Sequence, residues 1–253
     1  MNEIIIAKLK EIEAAENVRI LYAVESGSRA WGFASPDSDY DVRFLYVRPA
    51  EEYLRLDEHR DVIEHELNEV WDINGWDIRK ALILAYKSNP TLFEWINSPV
   101  VYWATEIFER NKNRLLACFQ KKHVLYHYAS MAKKDFLNHF KDDTAKLKNY
   151  FYVIRPILAF RWIAEKNSLP PVAFSELVNS QLEKDLLPEI EKLLVRKIAT
   201  EEGDQQARIP MWDRWIQENL AEIDTFLSGT EEDLRHSIDD LNQLFLEFVY
   251  EGR

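Results

Sequence analysis

Through residues 3–16 apolar and charged positions alternate at helical spacing, which predicts an amphipathic helix. The next apolar runs have a different character. Residues 18–26 are β-branched and almost continuously apolar, and residues 39–48 (DYDVRFLYVR) alternate before turning wholly apolar, so both read as strands. A short helix is expected over 51–57. DVIEHEL (61–67) and EVWDIN (69–74) alternate as two more strands joined tightly at Asn68. IRKALILAYK returns to helical spacing and stops near Asn89-Pro90, after which SPVVYW (98–103) reads as a final strand. From about residue 106 the pattern is helical nearly throughout. Pro156 is expected to kink its helix, and Pro170-Pro171 to break the chain before a last acidic, helix-rich third. The pattern therefore divides the chain into an α/β domain over 1–105 and a helical domain over 106–253.

The candidate chemistry lies between the first two strands. Gly27-Ser28 ends one β-like run and leads into a short helical piece, SRAWGF; a glycine lets backbone approach an anion, the following amides are unpaired donors, and Ser28 adds a hydroxyl. After the turn SPDS (35–38), Asp39 and Asp41 enter the second strand. Side chains alternate there, so Asp39, Asp41 and Arg43 share one face. Two carboxylates on one side of a rigid element repel each other unless a cation joins them, and a hard divalent ion with oxygen ligands completes its shell with phosphates. Gly-Ser or Asp-x-Asp alone would be an ordinary turn signal. The ordered set of strand, Gly-Ser, short helix, turn and Asp-x-Asp within an apolar strand is far more specific.

With those residues in view, the segment ESGSRAWGF…SDYDVRF resembles the nucleotidyltransferase superfamily of DNA polymerase β, and most closely its bacterial YcgL/RlaP-like branch of predicted nucleotidyltransferases. DINGWDIRKAL (72–82), KSNPTLFEWINSPVVY (87–102) and, in part, KLKNYFYVIRPILAFRWI (146–163) extend the likeness. The resemblance implies a nucleotidyltransferase domain with a mixed, largely antiparallel sheet, followed by a helical domain. It also implies Mg²⁺-dependent nucleotidyl transfer, with Mn²⁺ as the alternative ion. Gly27 and Ser28 would then hold phosphates of a nucleoside triphosphate, and Asp39 and Asp41 the metal. Such a reaction calls for a third carboxylate to bind metal or take the acceptor proton. Asp72, within a strand-like run, ranks first; Asp77 is the alternative, although an aspartate immediately before a helix more commonly caps it. Arg29 and Arg43 would meet triphosphate or balance Asp39 and Asp41.

Composition narrows the setting and leaves the acceptor open. The 253 residues are 47% hydrophobic and 13% aromatic, enough for a folded core, and a single cysteine, Cys118, cannot form an internal disulfide. No leader pattern or membrane-length apolar run occurs, so a cytoplasmic protein without membrane attachment is expected. The net charge of −12 speaks against a nucleic-acid partner until its distribution is considered. Residues 110–166 carry a net +9 between flanks of −10 and −11. Lys148 and Arg155 in this basic island, interleaved with tyrosines, are candidates for contact with nucleotide or acceptor phosphates. The acceptor hydroxyl is taken as an RNA end, with protein or a small molecule as alternatives. A non-catalytic nucleotide-binding or antitoxin-like module of the same fold, or a metal-dependent glycosyltransferase using Asp-x-Asp, are the competing readings.

Overall fold

Helix α1 (Asn2–Glu16) buries Ile5, Leu9 and Ile12, spaced to fall on one face, and ends where Asn17 adopts the left-handed conformation at φ 49°. The computed structural model describes residues 1–57, 59–68, 70–199, 205–229 and 237–252. Strand β1 (Arg19–Glu25) follows, then the short helix α2 (Gly27–Trp31) and strand β2 (Tyr40–Val47). A 3₁₀ turn at Ala50–Leu54 replaces the helix expected over 51–57. Strands β3 (Val62–Leu67) and β4 (Trp71–Asp77) form the anticipated tight pair; Asn68 accepts the amides of Val70 and Trp71 at its turn, while residue 69 lies outside the described residues. Helices α3 (Ile78–Tyr86) and α4 (Pro90–Ile96), strand β5 (Val101–Ala104) and helix α5 (Glu106–Leu116) complete this stretch. The pattern did not anticipate α4, whose signal was local: Asn89 caps it through Leu92 N, with Pro90 in its first turn.

Among the described residues the strands make a five-stranded sheet in the order β3-β4-β2-β1-β5. Three neighbouring pairs are antiparallel and one, β2 with β4, is parallel. The sheet is thus mixed and largely antiparallel, as expected. β1 is buried along almost its whole length because it lies inside the sheet, which is why its sequence does not alternate. α1 covers one face, burying Ile5, Leu9 and Ile12 with Val42, Phe44, Tyr46 and Ile73. Alternation then turns Asp41, Arg43 and Leu45 to the other face. Leu45 is buried there, but the start of β2 is only half-buried. This uncovered end positions the candidate site.

The chain forms two compact units. The first comprises Met1–Ala30, Asp39–Cys118 and Arg235–Arg253; the second comprises Trp31–Ser38 and Phe119–Leu234. This division differs from a cut at 105/106. α5 packs on β1, α3 and α4, and the last helix, α11 (Ile238–Glu251), packs on α3 and α5, with Phe248 stacked on Phe108. Their apolar faces bury against the sheet unit, so they belong to it. The second unit is built around α7 (Leu147–Lys166), which runs on through Pro156 and packs with α6 (Lys121–His139), α8 (Phe174–Gln181), α9 (Leu187–Ala199) and α10 (Pro210–Leu227). A two-stranded ribbon, β6 (Thr144–Lys146) with β7 (Gln205–Ala207), was not expected from the pattern. Segment 31–38 is anchored within this unit: Phe33 packs on Phe151 and Phe174, and buried Lys197 donates to Phe33 O at 3.0 Å and Ser35 Oγ at 2.7 Å.

One glycine tests the sheet packing. The Phe44 ring lies over Gly75, its partner on β4, and a Cβ there would come within 2.2 Å of the ring. Gly75→Ala is expected to displace this fully buried ring and lower the unfolding free energy by about 1–3 kcal/mol, read as a lower urea midpoint at unchanged slope.

Candidate active site

The site is built from the end of β1, the turn into α2 and the starts of β2 and β4. Ser26 N donates to Asp41 O at 2.8 Å, tying the turn to β2. Gly27 then adopts a positive φ of 58°, and a Cβ on it would lie 2.0 Å from Asp41 Oδ2. Only glycine permits both the conformation and the close approach of this carboxylate to the backbone. The first amide of α2 bonded back into its own turn is Ala30 N, to Ser26 O at 3.4 Å. The amides of Gly27, Ser28 and Arg29 precede it, at the end of the helix that favours an anion. Ser28 is largely buried, and its hydroxyl has no hydrogen-bond partner among the described residues.

On the parallel pair, Asp41 stands in register with Asp72, and Arg43 with Asn74. Arg43 Nη2 bridges the carboxylates, 2.8 Å from Asp41 Oδ1 and 2.6 Å from Asp72 Oδ2, while its Nη1 donates to Asp72 O at 2.6 Å. Asn74 Nδ2 donates to the other oxygen of Asp72 at 3.2 Å. The Arg29 guanidinium stacks 3.9 Å from the Tyr40 ring centre, and its Nε donates to Asp39 O at 2.9 Å, fixing the backbone on which Asp39 enters β2.

Burial pushes the Asp41 carboxyl up to about 6; Arg43 draws it down, and Asp39, Asp72 and Glu25 push it up further. Glu25, given no role by the sequence reading, is part of this array. It is buried, accepts Asp41 N on Oε1 at 2.8 Å and the Tyr102 hydroxyl on Oε2, and burial raises its carboxyl above the usual range. Its signal in the sequence was an acid closing an otherwise apolar strand.

The remaining site candidates have the following surroundings. Asp77 is the N-cap of α3: Oδ1 accepts Arg79 N at 2.8 Å, and the Tyr53 hydroxyl donates to its carboxylate at 3.0 Å. It closes β4 at the opposite end from Asp72. In the second unit Arg155 is buried in α7, 4.5 Å from the Trp31 ring centre, with Nη2 3.4 Å from Val172 O. Lys148 is half-buried in the first turn of α7. Other cations of the basic island meet acidic residues of the last third within that unit: Lys133 pairs with Asp224, and Arg161 with Glu183 and Glu222.

This glycine-cradled carboxylate pair accompanies a whole-chain likeness. Residues 1–247 match the family model described as RlaP: RNA repair pathway DNA polymerase beta family. The chain belongs to this family. A Bacillus subtilis (strain 168) relative, described as uncharacterized protein YcgL, is 42% identical over 253 residues, covering 99% of this chain and 97% of its own. A crystal structure of a nucleotidyltransferase-like protein from Exiguobacterium sibiricum 255-15 aligns over 87% of this chain and 73% of that one, with 13% identity and a TM-score of 0.33. Family membership makes the mixed-sheet unit a polymerase-β-like nucleotidyltransferase fold and the protein nucleotidyltransferase-like. Among the described residues no helix is long and apolar enough to cross a membrane.

As a group of chemical donors, Asp39, Asp41 and Asp72 offer oxygen alone, which suits a hard divalent cation. Among the described residues no three His, Cys, Asp or Glu side chains form a ready-made metal cluster. Arg43 supplies positive charge to the pair.

Two predictions follow from these placements. Asp77→Ala is expected to lower stability by about 0.5–2 kcal/mol through loss of the helix cap, measured by urea unfolding. For Asp41, the folded pKa of about 6 lies above the ordinary aspartate value of 3.8. Its contribution to stability is therefore full below the unfolded value and lost as pH rises through about 6. In metal-free buffer the melting temperature of wild type should fall relative to that of Asp41→Asn as pH rises from 4 to 7; a constant difference would contradict the assignment.

Proposed function

We propose that this protein is a divalent-metal-dependent nucleotidyltransferase that moves a nucleoside monophosphate from a triphosphate to an acceptor hydroxyl, releasing pyrophosphate. The observation that carries this reading is the pairing of Asp41 and Asp72 at one level of the parallel strands, with Asp41 against the backbone of Gly27. The residues fit Mg²⁺ in the chemistry of their donors, which are all oxygen, and the absent Cβ of Gly27 lets the Asp41 carboxylate lie directly against the backbone of the phosphate-binding turn. Asp39, Asp41 and Asp72 would hold the ion, which when bound supplies charge neutralisation and lowers the pKa of a ligated hydroxyl.

The chain's own residues do the rest. The amides of Gly27 and Ser28 and the Ser28 hydroxyl bind the phosphate oxygens. Arg43 holds the Asp41 and Asp72 carboxylates together against their repulsion. Glu25, kept in place by the Tyr102 hydroxyl, fixes the Asp41 amide and so the start of β2. Asp72 is positioned to take the acceptor proton or share the metal, whereas Asp77 is committed to its helix. An RNA end is the acceptor we favour, a choice supported by the family's description as an RNA repair pathway family.

Incubation with α-labelled triphosphates, Mg²⁺ and RNA should release pyrophosphate and label the RNA. Asp41→Asn and Asp72→Asn should each lower turnover by about two to three orders of magnitude while unfolding cooperatively, and Asp77→Asn should retain turnover. Mg²⁺ should also raise the melting temperature of wild type more than that of Asp41→Asn. Equal turnover in wild type and both site variants would refute the assignment. Label on protein or on a small molecule would replace RNA as the acceptor.

A further inference from the structure

A second feature of the first unit lies at the far ends of the same two strands. Seven residues of extended chain separate Asp41 from Arg48, about 23 Å at roughly 3.3 Å per residue. There a cavity of about 440 Å³ opens, lined by Arg48, Tyr53, Asp77, Arg79, Lys80 and Ile83 among others. Its volume is that of a small-molecule site. Because β2 and β4 are parallel, their carboxyl ends lie together, and α3 begins at the end of β4, so its amino terminus, where the helix dipole favours negative charge, lies at this same end.

The cations of the cavity are unequally committed. At the rim Arg55 pairs with Asp57, Arg60 with Glu64 and Lys80 with Asp61. Two guanidinium groups remain without a carboxylate ion pair among the described residues. Arg48 is only 9% exposed, and its Nε is buried without a hydrogen-bond partner; its Nη1 reaches Glu16 O at 3.4 Å, and the guanidinium also interacts with Tyr46, whose ring centre is 5.4 Å away and whose hydroxyl it holds. A buried guanidinium nitrogen left in this state calls for an ion, a water or a ligand. Among the described residues Arg79 makes no hydrogen bond through its guanidinium, which lies against the rings of Tyr53 and Phe245 at 5.2 and 5.5 Å, contacts that hold it in place at the mouth. The one buried acid of the cavity, Asp77, accepts Arg79 N and the Tyr53 hydroxyl, and it faces the charges of both Arg48 and Arg79 without forming an ion pair with either among the described residues. Two arginines beside a helix amino terminus match the geometry of phosphate oxygens, and the Tyr53 and Ile83 side chains give the cavity an apolar wall.

We propose that this cavity is a second anion site, separate from the carboxylate pair, which binds a phosphate group, either free or carried by a small molecule of nucleotide size. Inorganic phosphate and adenosine monophosphate distinguish the two sources.

The test is calorimetric titration of full-length protein without divalent metal, using both probes, with adenosine as the uncharged control. The background is Asp72→Asn, so that ligand held through the carboxylate site is recognised separately. Phosphate or the monophosphate should bind equally to wild type and Asp72→Asn, and at least about tenfold more weakly to Arg79→Gln, the loss expected for one charge-assisted contact. Arg48→Gln should weaken binding similarly if it folds; the exposed position of Arg79 keeps the test decisive if it does not. Tighter binding of the monophosphate identifies a nucleotide-sized ligand, and equal binding identifies phosphate itself. Absence of binding by either probe, or binding that survives Arg79→Gln, overturns the proposal. So does binding abolished by Asp72→Asn, while loss of turnover alone in that variant bears on the transferase reading and leaves this site standing.

Discussion

A carboxylate pressed against a glycine is the constraint from which this protein's candidate site follows. Asp41 Oδ2 occupies space that any other residue at position 27 would fill with its Cβ. The turn after β1 must therefore carry Gly27 at positive φ, and the register of β1 with β2 must hold that turn at the start of β2. Burial and three acidic neighbours raise the Asp41 carboxyl, so the arrangement costs stability wherever the group is ionised. Arg43 offsets part of this cost and Glu25 fixes the backbone beneath it. The site is a place where local energetics are spent on holding like charges together, which is the condition that favours binding of a cation and a polyphosphate.

The parallel contact between β2 and β4 extends that constraint through the first unit. It aligns Asp41 with Asp72 at one end, and at the other it brings together the end of β4, the start of α3 and Arg48 just beyond β2. α1 covers one face with an apolar stripe. The other face is covered over Leu45 but open at Asp41, so a single strand changes from half-exposed to fully buried along its length. An antiparallel arrangement of the same two strands would have placed Asp77 near Asp41 and removed Asp72 from it.

Electrostatics in the second unit show how a linear charge count can mislead. The net +9 of residues 110–166 is flanked by acidic sequence. Folding brings part of the last acidic third onto it, through Lys133 with Asp224 and Arg161 with Glu183. Arg155 turns inward to stack on Trp31. These pairings reduce the exposed positive field, and exposed pairs of this kind add little stability individually. Their consequence lies in which cations remain for phosphates.

Much of this was legible in the order of residues alone. The strands carrying Gly27-Ser28 and Asp39-Tyr40-Asp41 were marked by apolar runs, and alternation placed Asp41 and Arg43 on one face, because side-chain direction in a strand is a local property. The helix-cap reading of Asp77 was likewise local, as was the Asn89-Pro90 signal, which was read as the end of one helix but not as the start of the next. Other features depend on contacts between distant segments. The parallel register decided that Asp72 meets Asp41 and Arg43. The packing of Tyr102 and β1 decided that Glu25 joins them, and the docking of α5 and α11 on the sheet decided where the first unit ends. Periodicity records which face of an element is apolar but not which element will cover it; register and ion pairing arise only when segments tens to hundreds of residues apart bury those faces together.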